Sequence, residues 1–385
     1  MNAISASASL LLALTVLEPL AAQPGRYANE VFEFVDVQTD IAYGSAFNDA
    51  TGVQETLLLD LYRPLGDTET SRPAVVLAHE GGFLIGDKSQ VEFAVIGKDL
   101  ASRGYVAVSI NYRLGVEPVT PAIVNAASHD VLAAVRWLRS QESALGIDVD
   151  RIACFGASAG GVASMTSQYD NDLGEGSSGN PGFSSDAQAV VELWAAFSSF
   201  ELDPGEVPFA IVHGTADQLV PFQFALDLSA KAALVGIPSE LHTVQGGPHS
   251  AWDFYLPTYH LEVVGFLYEQ LELGALAGLS AQPGFASPGS VTFESFGTAG
   301  DTVALLLGTA SGSLPIPGFG TLCIGPVDSL VSVGLSTLPA QPRLSDTAFS
   351  LSLPAGLGGM TFHWQALQLE PGGLGLLTNC VQTTL

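Results

Sequence analysis

The serine at position 158 is the first residue whose surroundings indicate chemistry. Ser158 is the centre of Gly156–Gly160, which reads Gly-Ala-Ser-Ala-Gly. The apolar run Ile152–Phe155 before it predicts a short buried strand, and Gly161–Met165 after it can begin a helix. A tight turn from strand to helix tolerates only small flanking residues, because larger side chains near the serine would clash. This spacing predicts a nucleophile elbow that presents the Ser158 hydroxyl for attack on a carbonyl carbon.

Nucleophilic hydrolysis also requires a base, an orienting acid and donors for the oxyanion, and three other loops carry such groups. The segment His79–Phe83, which reads His-Glu-Gly-Gly-Phe, follows the apolar run Ala74–Ala78. The segment His213–Pro221, which reads His-Gly-Thr-Ala-Asp-Gln-Leu-Val-Pro, follows another such run, and His249 lies in a glycine-rich loop after a third. Each of these loops, like Ser158, therefore comes directly after its own predicted strand.

From about Thr51 to Leu273, these segments make the chain resemble the carboxylesterases and feruloyl-esterase-like members of the α/β-hydrolase superfamily. The candidate groups occur in the order serine, aspartate, histidine, which is the order of α/β-hydrolases and differs from that of chymotrypsin and subtilisin. The resemblance implies a catalytic triad of Ser158, Asp217 and His249. In such a triad His249 takes the serine proton and gives it to the leaving alcohol, while Asp217 holds the imidazole tautomer.

The loop at 79–83 resembles the His-Gly-Gly-Gly loop of these enzymes, whose later glycines let backbone amides point into the site. The resemblance implies that the oxyanion donors are the amides of Gly81, Gly82 and Ala159. Glu80 departs from the family pattern, which usually has glycine at that position. A carboxylate beside the oxyanion would oppose its charge, so we expect the Glu80 side chain to point away from the hole. A glycine-rich turn with a structural histidine is the alternative interpretation of this segment.

Three aromatic residues near predicted strand ends or the base loop are candidates for lining a substrate pocket, namely Phe83, Trp194 and Trp252. Ordinary core packing explains any one of them equally well. The short segment between Trp194 and Phe209 leaves little room for a large helical cap, and Asp172–Ser185, rich in Gly and Ser, does not predict a helical lid. We therefore expect an open site for esters of bulky or polymeric substrates, with feruloyl or acetyl esters of polysaccharides as the leading class and polyesters as another.

Between residues 35 and 273, short apolar runs alternate with longer amphipathic ones that predict helices, such as Asn125–Ser140 and Trp252–Leu273. This alternation predicts an α/β fold with a mostly parallel sheet flanked by helices, as an α/β-hydrolase catalytic domain over 23–273 requires. Residues 274–289 are rich in Ala, Gly, Ser and Pro, which predicts a linker. Residues 290–385 contain short apolar runs separated by Gly and Pro, which predicts a small C-terminal all-β, sandwich-like domain.

Charge is sparse and one-sided, with 12 Lys and Arg against 39 Asp and Glu in 385 residues and a net charge of −27. Such a surface repels phosphate backbones and anionic lipids, so nucleic acid is excluded as a partner. Residues 1–22 form a short apolar stretch that ends in small residues, which predicts a signal peptide and a secreted, extracellular or periplasmic protein. A buried first helix is the alternative. No later run is long enough to predict a membrane span.

No cofactor is expected for this chemistry, and the remaining histidines lack the paired spacing of metal ligands, so no metal site is expected either. Cys154 lies in the apolar run before Ser158 and is interpreted as an inert buried thiol. Cys323 and Cys380 can form a disulfide if the protein is exported. In the C-terminal part, Trp364 and Phe362 belong either to a face that binds carbohydrate or another surface or, as we favour, to the core.

Two rival functions stay open beside ester hydrolysis. A serine peptidase of the same fold would use the same triad, although such enzymes usually carry a propeller or a large N-terminal domain. A non-catalytic surface-binding protein with this fold would lack a member of the triad, whereas candidates for all three are present. The sequence thus favours a serine carboxylic-ester hydrolase that acts through an acyl-enzyme.

Overall fold

The computed structural model describes residues 25–195, 201–277, 279–281, 289–317, 319–325, 330–338, 343–353, 360–371 and 375–384. The predicted signal peptide at 1–22 lies outside these ranges. In the described part of the chain, residues 35–244 contribute a mixed sheet of eight strands: β1 Val35–Asn48, β2 Val53–Pro64, β3 Arg72–Ala78, β4 Val106–Ile110, β5 Ile147–Ala157, β6 Ala189–Leu193, β7 Phe209–Gly214 and β8 Ser239–Val244. Their order across the sheet is β1-β2-β4-β3-β5-β6-β7-β8.

The pairing within this sheet changes from antiparallel to parallel along its width. Strands β1 and β2 pair antiparallel, as do β2 and β4. All remaining neighbours pair parallel. The sheet is therefore mostly parallel, as the sequence predicted. The long strand β1 was not predicted, because its residues are mostly exposed or half-buried and form no apolar run.

Helices cover both faces of the sheet, with bounds α1 Val91–Arg103, α2 Pro121–Ser140, α3 Glu142–Leu145, α4 Ala159–Tyr169, α5 Phe222–Val235, α6 Trp252–Phe254, α7 His260–Gln270 and α8 Gly274–Ala277. Helices α2, α4 and α5 pack on one face, and α1 and α7 pack on the other. The sequence pattern predicted one helix from Trp252 to Leu273, but a π-helical turn at Tyr255–Tyr259 separates α6 from α7. Pro257 lies in this turn and lacks the N–H that a regular helix would use. No helix in the described ranges is long and apolar enough to cross a membrane.

The central strand β3 shows why this arrangement is stable. All seven of its residues are buried. Val76 and Ala78 pack with the α2 and α4 side of the core, whereas Val75 and Leu77 pack with the α1 and α7 side. Strand residues point alternately to opposite faces, so an uninterrupted apolar run fits a strand that is covered on both faces. The loop that follows β3 is therefore fixed to a rigid element.

The C-terminal part contains short strands in its described ranges: β9 Leu279–Ala281, β10 Gly289–Thr298, β11 Thr302–Gly308, β12 Ala310–Ile316, β13 Gly320–Gly325, β14 Val331–Thr337, β15 Leu344–Leu353, β16 Thr361–Leu369, β17 Gly375–Leu377 and β18 Val381–Thr384. They form three small sheets, β15-β10-β9, β14-β11-β16-β17 with β18 beside β16, and β12-β13. Every pairing is antiparallel. This arrangement fits the predicted all-β character, while an independent sandwich domain stays a prediction.

The structure bears on two sequence interpretations in this region. The predicted linker at 274–289 contains α8 and β9, and the side chain of Leu279 is buried in the same core as Val291 and Phe293. Strand β9 pairs with β10 and is an edge strand of its sheet. Trp364 belongs to that core as well, and its indole N–H donates to Thr383 Oγ1 at 2.8 Å. The structure therefore supports the core interpretation of Trp364 over a binding face.

Arg343 connects the C-terminal part to the first sheet and its helices. Its guanidinium donates to Glu240 of β8 at 2.6 and 2.7 Å and to Glu269 of α7 at 2.6 and 2.9 Å. Gly265 of α7 lies beneath it, where a Cβ would approach the Arg343 Cδ atom at 2.6 Å. Burial alone would raise the pKa of Glu240, but hydrogen bonds from His242 and Arg343 lower it to about 2. Arg343 thus makes a bidentate contact with each of the two carboxylates.

Cys323 of β13 and Cys380, just before β18, form a disulfide whose Cα atoms are 6.2 Å apart. The link closes a loop with a sequence separation of 57 residues, which restricts the unfolded chain. We expect the double substitution Cys323→Ser and Cys380→Ser to lower the free energy of unfolding by about 2–4 kcal/mol. Guanidinium unfolding followed by circular dichroism measures this difference. A reducing agent should lower the free energy of unfolding of the wild type by a similar amount and leave that of the double variant unchanged. If reduction does not change the stability of the wild type, the assignment of the disulfide is contradicted.

Candidate active site

Ser158 occupies the turn between β5 and α4 with a left-handed backbone, at φ 47° and ψ −119°. Its N–H donates to the carbonyl of Leu193 at 2.9 Å, and its own carbonyl accepts the N–H of Val162 at 2.9 Å. A Cβ on Gly156 would collide with the backbone of Gly160, and a Cβ on Gly160 would collide with the carbonyl of Ala78. The flanking glycines are thus required by close backbone contacts. This is the geometry that the sequence predicted for a nucleophile elbow.

A continuous chain of hydrogen bonds joins Ser158, His249 and Asp217. Ser158 Oγ lies 2.9 Å from His249 Nε2, and His249 Nδ1 lies 2.8 Å from Asp217 Oδ2. The side chain of Asp217 is fully buried, while that of His249 is 17% exposed. The other oxygen of Asp217, Oδ1, accepts the N–H groups of Leu219 and Val220 at 2.8 and 2.9 Å. The structure therefore brings together the three residues proposed from the sequence, with the carboxylate fixed by its own loop.

A second histidine, His213, lies near the same oxygen of Asp217 that contacts His249. Its Nε2 lies 3.0 Å from the carbonyl oxygen of Val220 and 3.3 Å from Asp217 Oδ2. Both neighbours are acceptors, which assigns the proton to Nε2. Burial lowers the pKa of His213, so the ring is neutral at pH 7 and introduces no charge that would compete with His249 for Asp217.

The loop after β3 is held by His79 and by backbone conformations that suit glycine. Gly81 and Gly82 have φ values of 129° and 60°, and a Cβ on Gly81 would collide with the carbonyl of Ile85. The His79 ring stacks on Tyr112 with centroids 4.3 Å apart, and Tyr112 donates its hydroxyl to the His79 carbonyl at 2.8 Å. Ala159 begins α4 directly after Ser158. These placements agree with the predicted positions of the oxyanion donors, whose role stays a prediction.

Glu80 accepts hydrogen bonds from four side chains. Its Oε1 accepts from Gln90 Nε2 at 3.2 Å and Trp252 Nε1 at 3.1 Å, and its Oε2 accepts from Trp194 Nε1 at 3.1 Å and Ser250 Oγ at 2.8 Å. The sequence alone offered no signal for these partners, which come from three separate segments of the chain. The carboxylate is therefore committed to neighbouring side chains, in agreement with the expectation that it does not face an oxyanion.

Trp194 and Trp252 do not take the position proposed for them as pocket residues. Trp194 is 0% exposed and Trp252 is 9% exposed, and their rings pack edge to face with centroids 4.8 Å apart. Both belong to the α1 and α7 side of the core. Their indole N–H groups face Glu80 instead of substrate. The two tryptophans are therefore packing and hydrogen-bonding residues behind the site.

A cavity of about 830 Å³ is lined by side chains of α2 and α4 and of the segments next to them, and Ser158 and His249 are not among its described lining residues. Phe83, the third proposed pocket residue, lines it, together with Val162, one helical turn after Ser158. The lining also includes four carboxylates: Asp170, Asp172, Glu201 and Asp203. Neither Trp194 nor Trp252 is among the described residues that line it. No group of three or more potential metal ligands occurs in the described ranges.

Comparison with known proteins supports the assignment of the fold. Two solved structures are similar to this chain: a truncated carbohydrate esterase from gut microbiota, with a TM-score of 0.53, 23% identity and coverage of 64% of this chain and 99% of that one; and Thermogutta terrifontis esterase 2 phosphoramylated by tabun, with a TM-score of 0.52, 24% identity and coverage of 65% and 98%. The chain thus has the α/β-hydrolase fold, with a mixed sheet.

Sequence similarity indicates which family of α/β-hydrolases the chain resembles. Residues 59–200 match the BD-FAE family model. The chain is 32% identical over 112 residues to esterase LipI of Mycobacterium tuberculosis, covering 29% of this chain and 33% of LipI. It is 37% identical over 108 residues to ethyl acetate hydrolase of Pseudomonas putida, covering 28% and 32%. The chain thus spans about a third of the length of these relatives. These matches confirm the resemblance to a carboxylesterase-like family of α/β-hydrolases.

Glu192 is a buried acid that sequence analysis missed. It lies on β6 opposite Gly156, and its exposed fraction is 0%. Its Oε2 accepts the N–H of Ala195 at 2.7 Å, whereas its Oε1 has no partner among the described residues. Desolvation raises the pKa of Glu192 from 4.5 to about 8, although the Ala195 bond opposes this shift. The apolar run around it predicts only a buried strand and gave no reason to expect a protonated carboxyl behind the elbow.

This pKa makes stability depend on pH. The folded protein holds the Glu192 proton more tightly than the unfolded chain, so the contribution to stability is complete below pH 4.5 and is lost as pH rises toward about 8. We expect Glu192→Gln, whose amide oxygen can still accept the Ala195 N–H, to remove this loss. Guanidinium unfolding at pH 5 and pH 8 should show a smaller decrease for the variant than for the wild type. Glu142→Gln, at an exposed helix start, is the control; equal decreases in all three proteins would contradict the assignment.

Proposed function

We propose that this protein hydrolyses carboxylic esters through an acyl-enzyme formed on Ser158. The observation that carries the proposal is the hydrogen-bond chain from Ser158 Oγ through His249 to the buried carboxylate of Asp217. His249 Nε2 takes the proton of Ser158 as its oxygen attacks the ester carbonyl, and returns it to the leaving alcohol. Water then attacks the acyl-enzyme, and His249 again acts as the base that takes a proton. Asp217 keeps Nδ1 protonated and stabilises the imidazolium.

The negative charge of the tetrahedral intermediate requires donors on the opposite side of the carbonyl. The backbone amides of Gly81, Gly82 and Ala159 are the candidates, because two glycines with positive φ lie on the loop after β3 and Ala159 begins α4. The amino end of α4 adds the favourable field of a helix terminus. Removal of a single such donor in other serine hydrolases costs about 100- to 1000-fold in kcat.

The cavity lined by Phe83 and Val162 supports substrates with a sizeable apolar group, because the N–H of Val162 donates to the carbonyl of Ser158. These two side chains form an apolar part of the wall, whereas the four carboxylates described above lie in the same cavity. That charge disfavours anionic esters and suits neutral or hydroxyl-rich groups. Residues 201–208, between β6 and β7, contain no helix that could cover the site. Esters of polysaccharides, feruloyl or acetyl, remain the leading proposal, with polyesters as a further class.

Export is part of the proposal, because the predicted signal peptide precedes a chain with a disulfide. Disulfides such as Cys323–Cys380 form and persist in oxidising compartments. The strongly acidic composition, with a net charge of −27, fits work outside the cell as well. Mass spectrometry of the protein secreted by an expressing host would identify the first residue of the mature chain. A chain retained with its first 22 residues intact would count against export.

Ser158→Ala tests the chemistry directly. We expect loss of at least about 1000-fold in kcat toward p-nitrophenyl acetate and butyrate, because the attacking oxygen is removed. Retained ester hydrolysis would contradict the mechanism. Peptide substrates should be untouched by both proteins; cleavage of peptides by the wild type that is lost in Ser158→Ala would instead favour the serine peptidase alternative.

The substrate class is tested with matched substrates on the full chain. We expect release of acid from methyl ferulate and acetylated xylan, and slower hydrolysis of esters with a free carboxylate in the acyl group, because the cavity carboxylates repel it. Initial rates at low salt give the comparison, and the penalty on the anionic ester should shrink at high salt as charges are screened. Activity confined to short soluble esters would contradict the polymeric proposal while leaving ester hydrolysis intact.

A further inference from the structure

Three of the four donors to Glu80 come from segments next to the residues that carry the proposed chemistry. Trp194 follows Leu193, whose carbonyl holds the N–H of Ser158. Ser250 follows His249 directly, and Trp252 begins α6 two residues later. Glu80 itself precedes Gly81 and Gly82. The Glu80 carboxylate therefore joins three segments: the oxyanion loop, the end of β6 that contacts the nucleophile elbow, and the base loop.

We propose that Glu80 is a positioning residue that fixes the oxyanion loop relative to the nucleophile and the base. The inference rests on the proposed ester hydrolysis and assigns to this side chain a role that glycine at the same position could not have. Two neighbours that it holds, Trp194 and Ser250, have left-handed backbones with φ values of 41° and 55°. Such conformations are strained for residues other than glycine and persist where surrounding contacts determine them.

The chemistry of the four bonds requires a carboxylate. Each oxygen of an ionised carboxylate has two acceptor sites, and each Glu80 oxygen accepts two hydrogen bonds. The indole N–H groups of Trp194 and Trp252 can only donate. They lie in the core, where an unpaired N–H is costly. Both oxygens of Glu80 are thus fully occupied as acceptors. The carboxylate is held among these four donors and away from the position of an oxyanion.

Glutamine cannot replace this acceptor. Its amide would present NH₂ either to the pair Gln90 and Trp252 or to the pair Trp194 and Ser250. Gln90 can turn its own amide and Ser250 can rotate its hydroxyl, but the indole in each pair cannot become an acceptor. Either orientation therefore leaves one buried indole N–H facing another donor. Removal of the Trp252 indole N–H resolves this conflict, because the NH₂ group can then face a phenyl ring and a turned Gln90.

The experiment compares four full-length proteins: wild type, Glu80→Gln, Trp252→Phe and the double variant. We expect Glu80→Gln to lower kcat for p-nitrophenyl butyrate by about 10- to 100-fold with KM within about twofold, as a displaced catalytic group would. The double variant should recover at least about tenfold of that loss. General destabilisation would not be relieved by a second core substitution. Unfolding midpoints are measured for all four.

A kcat of Glu80→Gln equal to that of the wild type, a change in KM alone, or a double variant no more active than Glu80→Gln would overturn the inference. If Glu80→Gln does not fold, the double variant decides: a folded, active double variant supports the proposal, and one without activity overturns it. Glu142→Gln, with the same change of charge at an exposed position, is the matched control and should keep wild-type kinetics. Ser158→Ala separates the two proposals, because its retained activity would refute ester hydrolysis by this site, whereas an unaffected Glu80→Gln refutes only positioning.

Discussion

The left-handed backbone of Ser158, at φ 47° and ψ −119°, constrains the residues around it. A side chain in this conformation is presented at the tip of the turn, but the turn closes only if β5 and α4 approach each other without intervening Cβ atoms. Gly156 satisfies that condition, because a methyl group there would strike the backbone of Gly160. Gly160 in turn lets α4 approach the end of β3, where a methyl group would strike the carbonyl of Ala78. The hydrogen bond from Ser158 N–H to Leu193 then ties the strained turn to the next strand. The strain is held by the buried sheet and not by local contacts alone.

The parallel part of the sheet explains how distant segments meet at this turn. The carboxyl ends of neighbouring parallel strands lie at the same edge, so the loops after β3, β5, β6, β7 and β8 converge there. Glu80 follows β3, Ser158 follows β5, and Trp194 follows β6, while Asp217 and His249 follow β7 and β8. A parallel sheet fixes where each loop begins but not how the loops lie relative to one another. The Glu80 carboxylate supplies such a cross-link between three of them.

The sequence predicted the parts of the site that depend on local pattern. Ser158 follows from a strand, a turn of small residues and a helix, and Asp217 and His249 follow from their loops and their order in the chain. The partners of Glu80 could not be predicted in this way, since Trp194 and Trp252 lie 114 and 172 residues away from it. An aromatic residue at a strand end fits a pocket as well as a core, and only the tertiary contacts distinguish the two. The same limit applies to Leu279, whose edge strand was hidden in a stretch typical of linkers.

Because acidic residues outnumber basic ones, each Lys or Arg is one of the few possible ion-pair partners for many carboxylates. With 12 Lys and Arg against 39 acids, most carboxylates have no basic partner available. Arg343 is the one basic residue after position 290, and it binds Glu240 on β8 and Glu269 on α7.

Strand β8 leads directly into the loop that carries His249. The ion pairs therefore neutralise two acids on the elements next to the base loop, where unpaired charges would repel each other. Since each carboxylate is partly shielded from solvent, salt should weaken these contacts less than it would weaken fully exposed pairs. The C-terminal strands thus have a physical connection to the base loop that does not require them to touch substrate.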